Sequence, residues 1–116
     1  MTENKPKYLF CVQHHDPEFD PMSFSIAHTW LDDKGLDIVF YFMYHAGKIM
    51  RRDYVEAHPD IKEHVDYLLS RGVPMYVCGF CSRVCQLNAN NLYTGVQVAN
   101  RHIYYALMTE RQVVYY

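Results

Sequence analysis

The sequence has no apolar run approaching the roughly 20 residues that a membrane-spanning helix needs. It has no surplus of positive charge either: 11 Lys and Arg stand against 13 Asp and Glu, without a block of like charge. Nothing therefore supplies the counter-charge that phosphates demand, and nucleic acid is not an expected partner. Glycine and proline number only 5 each, while half of the 116 residues are hydrophobic. That balance excludes a disordered chain and leaves enough apolar surface for one core, so residues 1–116 are expected to form a single domain, with residues 1–6 flexible. The polar start, Met1 to Lys7, carries no signal-type apolar region with a small-residue cleavage site, so a cytoplasmic location without membrane attachment is expected. Cysteine is scarce as well, but three of the four (Cys78, Cys81 and Cys85) fall close together and only Cys11 stands apart. A secreted scaffold would spread its cysteines to staple distant segments, whereas clustering points to thiol chemistry or metal binding.

Hydrophobic periodicity orders the chain. Lys7 to Gln13 is an apolar run without helical spacing, followed by a polar stretch from His14 to Pro21, and reads as a buried strand with its loop. Asp20 and Pro21 form an N-cap and first-turn pair. Met22, Ile26, Ala27, Trp30 and Leu31 then share one helical face that stops at Gly35. Leu36 to Met43 is a second strand, its near-continuous apolarity suited to cover on both faces. Tyr44 to His58 reads as a loop with room for a short helix. From Pro59, the residues Ile61, Val65, Leu68 and Leu69 predict a helix ending at Arg71-Gly72. Val73 to Cys78 is a third strand, a short helix is expected after Ser82, and Val96, Ala99, Ile103 and Leu107 mark another helix before a last strand at Gln112 to Tyr116. Strands alternating with helices predict an α/β fold with a parallel or mostly parallel sheet and helices on both faces.

In such sheets reactive groups gather beyond the carboxyl ends of the strands. Three groups meet that test: His14, His15 and Asp16 after the first strand, Tyr44, His45 and Lys48 after the second, and Cys78, Cys81 and Cys85 after the third. His28, His58, His64 and His102 fall on helices or their ends and read as ordinary boundary residues, and Cys11 as a core residue. The segment Cys78-Gly79-Phe80-Cys81 leads from a strand toward a helix, where unpaired N–H groups favour a thiolate, which is both nucleophile and metal ligand.

The thiols leave several chemistries open. A thioredoxin-type C-x-x-C would need a longer tail than the 31 residues that follow Cys85. Structural zinc would need four ligands from Cys78, Cys81, Cys85 and a histidine, without a second C-x-x-C or H-x3-H pair in support. An iron-sulfur cluster would be one ligand short. Sulfur transfer through a cysteine persulfide needs only a reactive thiolate.

In its order of elements the chain resembles the DsrE/DsrF-like family of small sulfur-relay and sulfur-oxidation proteins, which includes the TusD-type subunits. The resemblance runs over roughly residues 7–115: Asp16-Pro17, Lys34-Gly35, Ile38-Val39-Phe40-Tyr41-Phe42, Ala46-Gly47, Leu68-Leu69-Ser70-Arg71-Gly72-Val73, and Met75-Tyr76-Val77 leading into Cys78-Gly79-Phe80-Cys81. It implies a three-layer α/β/α fold of the DsrEFH type, and an intracellular relay that carries sulfur as a persulfide on Cys78 and passes it between donor and acceptor proteins. Cys81 matches a second cysteine found in some members. Where many members continue with Arg-Gly, this chain has Cys85-Gln86, which offers Cys85 as a resolving thiol or third ligand. His14, His15 or His45 would supply positive charge, and no cofactor is expected. The alternative is an oligomeric module of the same fold that holds a metal or small ligand with Cys78, Cys81, Cys85 and a nearby histidine; a further alternative is a scaffold whose cysteines merely pack. The family implies an oligomer, trimer or hexamer, and the surplus of 11 tyrosines offers Tyr104, Tyr105, Tyr115 and Tyr116 as contact residues.

Overall fold

A computed structural model describes residues 5–116; residues 1–4 of the stretch expected to be flexible lie outside the described residues. Five strands form one sheet in the order β4-β3-β2-β1-β5, and every pairing is parallel. They are β1 Lys7–Val12, β2 Asp37–Phe42, β3 Met75–Cys78, β4 Val96–Ala99 and β5 Gln112–Tyr115. The helices are α1 Pro21–Lys34, α2 Arg52–Ala57, α3 Pro59–Ser70, α4 Gly79–Val84 and α5 Arg101–Glu110, with a 3-10 segment at Tyr44–Met50. Among the described residues no helix is long and apolar enough to cross a membrane.

Residue alternation divides the core in two. Phe10, Val12, Ile38, Phe40, Phe42, Met75 and Val77 point to one face and pack with Phe24 of α1 and with Ile61, Val65 and Leu68 of α3. Leu9, Cys11, Val39 and Tyr41 point to the other, where Ile103, Tyr104, Leu107 and Met108 of α5 cover them. The first three crossovers step one way along the sheet and the last returns across it, which puts α5 opposite α1 and α3 and makes three layers. The opposite-face layer is thin: α5 has no fully buried residue.

Several local expectations need correction. Val96 to Leu107 is not one helix, since Val96–Ala99 pairs with β3 as an edge strand and α5 starts only after Asn100, whose side chain accepts from the Ile103 N–H at 2.9 Å. The helix expected after Ser82 begins at Gly79. The loop expected from Tyr44 to His58 is almost wholly helical. In α1 the buried residues are Ser23, Phe24 and Ala27, while Met22 is exposed. That helix does end as its sequence predicts, with Gly35 at φ 60°, a left-handed conformation that glycine adopts without penalty.

Asp20 precedes Pro21 as expected but caps nothing in α1 with its side chain. Its side chain is 1% exposed, and a buried carboxylate must find donors. It accepts from the Asp16 N–H at 2.8 Å, the Tyr54 hydroxyl at 2.7 Å and His15 Nδ1 at 2.7 Å. Asp20→Asn keeps the shape and removes the charge, and is expected to cost about 1 kcal/mol, read as a lower urea midpoint at unchanged slope. An unchanged midpoint would show that the charge contributes nothing to holding the loop. Between α1 and α3, His28 Nδ1 and His64 Nδ1 meet at 2.9 Å, a helix-to-helix contact in place of two independent surface histidines.

Candidate functional site

The pleat decides where the third-strand cysteine points. Met75 and Val77 face the α1 and α3 side, so Cys78, one residue on, faces the α5 side together with Tyr41 and Cys11. Cys11 is the register partner of Tyr41, and Cys78 that of Ala99. The chain turns into α4 directly at Gly79, which is possible only without a side chain: a Cβ there would stand 2.5 Å from the Ala99 carbonyl oxygen. This tight start brings the Cys81 N–H to 3.4 Å from Cys78 Sγ. The loop after β2 meets the same turn. Tyr44, at φ 55°, holds a left-handed conformation rare for a bulky residue, and its N–H points at Cys81 Sγ, 3.0 Å away.

These contacts separate the thiols chemically. Burial opposes ionisation of Cys78, but the Cys81 N–H, the Cys81 thiol, the Tyr41 hydroxyl and the Phe80 N–H all favour its thiolate, and the net effect lowers its pKa. Cys81 is pushed up to about 11 by burial and by its hydrogen bond to Cys78, against a smaller opposing effect of the Tyr44 N–H. Cys11 is also pushed up to about 11, by burial first and then by the charge of Cys78. Burial and the bond to Cys78 raise the Tyr41 hydroxyl too, which keeps it a proton donor.

A pH dependence follows. A lowered pKa means that the Cys78 thiolate populates at lower pH than the others, so limiting iodoacetamide near pH 8 is expected to label Cys78 at least about tenfold faster than Cys81. The rate should climb with pH and level off once Cys78 is fully ionised. Tyr41→Phe removes a donor to the thiolate and moves that midpoint to higher pH. Peptide mapping by mass spectrometry checks the order, and preferential labelling of Cys81 would overturn it.

The thiols open on two sides of α4. Cys78 lies in an open cavity of about 580 Å³ with Tyr41, Phe80, Arg83, Arg101 and Tyr104 on its wall. Cys81 and Cys85 line a second cavity of about 440 Å³ with Tyr44, His45, Phe80 and Val84. Phe80, 68% exposed, stands between them. Of the histidines expected to assist, His45 reaches this region, with Nδ1 3.6 Å from Cys85 Sγ. His15 is taken up by Asp20, and His14 lines a separate cavity with Asp16 and Phe19; neither is bonded to a cysteine. Among the described residues no group of three or more His, Cys, Asp or Glu is placed to hold a metal ion, so Cys78, Cys81 and Cys85 do not converge as ligands. All four cysteines are free thiols.

Tyr41, Arg83, Arg101 and Tyr104 were not expected at the site. Tyr41 reads as one more apolar strand residue, and only the alternation that aligns it with Cys78 could have exposed its role. Arg101 and Tyr104 follow an edge strand that the helical spacing of Val96 and Ala99 conceals. Of the four tyrosines expected at subunit contacts, Tyr105 and Tyr115 are exposed. Tyr104 packs on Tyr41, and Tyr116 on Phe10, within the chain.

Comparison with known proteins agrees with the fold. The model of the DsrE/DsrF-like family matches residues 7–115. Among solved structures, a protein of unknown function from Methanobacterium thermoautotrophicum, MTH1491, superposes with TM-score 0.78 at 18% identity, covering 97% of this chain and 100% of that one. The ychN protein of E. coli gives 0.72 at 16% identity, covering 96% and 99%. A conserved protein of unknown function from Bacteroides thetaiotaomicron, BT1422, gives 0.68 at 12%, covering 95% of each chain. These likenesses establish the fold. No curated protein matches the chain in sequence.

Proposed function

The chain belongs to the DsrE/DsrF-like family, and from that premise we propose that it is a sulfur-relay carrier, holding sulfur as a persulfide on Cys78 and handing it to a partner protein. The observation that carries this reading is the set of donors on Cys78. The Cys81 and Phe80 N–H groups, the Cys81 thiol and the Tyr41 hydroxyl hold a thiolate ready at the end of β3, in a cavity open to a donor. The same donors serve the terminal sulfur once it is bound. Cys81, its proton retained, is the assisting thiol. Cys85, with His45 Nδ1 3.6 Å from its sulfur, is the resolving thiol in this reading.

The wider reading is of one domain across residues 1–116 working in the reducing cytoplasm, where four free thiols persist. Exposed Phe80, Val98, Tyr105 and Tyr115 support a homo-oligomer, trimer or hexamer, that covers the thin α5 layer. The test is intact mass spectrometry after incubation with a persulfide donor. One added sulfur per chain, released by a thiol reductant, is expected; a chain that gains none while Cys78 still alkylates refutes the carrier role.

A further inference from the structure

The cavity that Cys78 faces is cationic. Arg83 and Arg101 stand on its wall, and no aspartate or glutamate does. Both are exposed. The chain has six arginines, and the other four are engaged: Arg51 with Asp53, Arg52 with the Asn90 and Leu92 carbonyls, Arg71 with the Tyr67 hydroxyl and Arg111 with Asp37. Among the described residues, the two arginines whose side chains pair with neither a carboxylate nor another oxygen are the two beside the reactive thiol. Arg83 is held against the Phe80 ring, 5.7 Å from its centroid, which fixes the guanidinium at the cavity mouth. Neither arginine is among the main groups that set the ionisation of Cys78, which are Cys81, Tyr41 and Phe80. Their charge is left for an incoming group.

At about 580 Å³ the cavity falls in the range of small-molecule sites, roughly 300–1,000 Å³, and Tyr41, Met43, Val98 and Tyr104 give it an apolar wall. We infer that Cys78 takes its sulfur from a small anionic sulfane-sulfur donor, whose carboxylate or sulfonate pairs with Arg83 and Arg101 while its outer sulfur meets Cys78 Sγ. The inference rests on the persulfide reading and names the substrate class of that same site. Guanidinium is suited to the task because its fork matches two anionic oxygens at once.

The step balances without an added oxidant. With an organic persulfide R-S-S-H, the Cys78 thiolate attacks the outer sulfur and a new S–S bond forms as the donor's S–S bond breaks. R-S⁻ leaves with the bonding pair, and the proton stays on the transferred sulfur until solvent takes it. With thiosulfate the same attack expels sulfite with the pair. The carboxylate of an organic donor takes no part in bond making or breaking, so there arginine acts on capture and orientation, which removes part of the entropic barrier; the sulfite that leaves thiosulfate takes the bonding pair, and there the arginines also hold the charge of the leaving group.

The experiment compares sulfur loading of the intact protein from three probes: glutathione persulfide, which carries carboxylates, thiosulfate, which carries a sulfonate, and cysteamine persulfide, which is cationic. Loading from at least one anionic probe is expected to be about tenfold or more faster than from cysteamine persulfide, and to fall with added salt. Which anionic probe loads separates carboxylate from sulfonate recognition. In the double variant R83Q/R101Q that advantage should vanish, while cysteamine loading and Cys78 alkylation stay as they were. R83K/R101K should restore part of it, because charge returns without the fork. Equal loading from all three probes, unchanged in R83Q/R101Q, overturns the inference and leaves the carrier role standing. No loading from any probe, with Cys78 still open to alkylation, overturns the persulfide reading and this inference with it.

Discussion

Cys78→Ser is expected to abolish sulfur loading, a loss on the order of 10³-fold or more, because a serine hydroxyl is neither ionised at neutral pH nor able to carry a persulfide. The substitution is close to isosteric, and its oxygen still accepts from the Cys81 N–H that now lies 3.4 Å from the sulfur. The variant should therefore fold as the parent does, and the loss should be chemical. Cys85 opens into the other cavity, and the two remaining thiols are not ionised to take over. Cys81, pushed up to about 11, is almost wholly protonated at neutral pH, and so is the buried Cys11 at about 11. Intact mass spectrometry reads the result directly: one sulfur on the parent and none on the variant. Sulfur retained at the parent's level in Cys78→Ser would show that another cysteine is the acceptor and that the donors gathered on Cys78 serve some other purpose.

Cys81→Ala offers the contrast. It removes the thiol hydrogen bond to Cys78 and keeps the backbone N–H that also points there. Loading should persist with a higher pH midpoint. The two variants together separate the thiol that accepts sulfur from the thiol that assists it, which no single substitution can do.

How much of this was legible in the sequence depends on the range of the interaction that decides each feature. The strand that delivers Cys78 was legible because its apolar run ends where the thiols begin. The helix over Pro59–Ser70 was legible because Ile61, Val65 and Leu68 repeat at its period and are all buried. β4 was not. An edge strand of four residues with only Ala99 buried shows no alternation, and Val96 and Ala99 happen to continue the spacing of Ile103 and Leu107. Asn100 was the signal, a capping residue standing where a continuous helix would not want one. The 3-10 segment over Tyr44–Met50 escaped for a related reason, since its buried residues, Ala46, Gly47, Ile49 and Met50, span little more than one turn and include a glycine, too short a run for a period to show. At the site, Cys78, Cys81, Cys85 and His45 could be named because they sit at strand ends in the sequence. Tyr41 and Arg101 could not, because what brings them to Cys78 is the pairing of β2 and β4 with β3, which leaves no local mark, and Arg83 could not because its place follows from α4 starting at Gly79 and not after Ser82.

Gly79→Ala should then disturb fold and site together. The added Cβ would stand 2.5 Å from the Ala99 carbonyl oxygen, a backbone atom in the residue that is the register partner of Cys78. It cannot step aside as a side chain can. Either β3 and β4 part at their ends or α4 lifts away, and overpacking of this kind costs about 1–3 kcal/mol, a fall of several degrees in melting temperature. The control is Gly47→Ala, where the Cβ would meet Leu87 Cδ1 at 2.8 Å. That atom is the far end of a flexible side chain and can rotate away, so the cost should be smaller. The chemical consequence separates the two further. If α4 lifts in Gly79→Ala, the Cys81 and Phe80 N–H groups retreat from Cys78, the thiolate loses donors, and the pH midpoint of alkylation rises toward that of an ordinary thiol. Gly47→Ala, away from those donors, should leave the midpoint where it was. A Gly79→Ala protein with unchanged stability and an unchanged midpoint would mean that the turn into α4 does not depend on the missing side chain, and that the donors on Cys78 are held by something other than the close approach of Gly79 to Ala99.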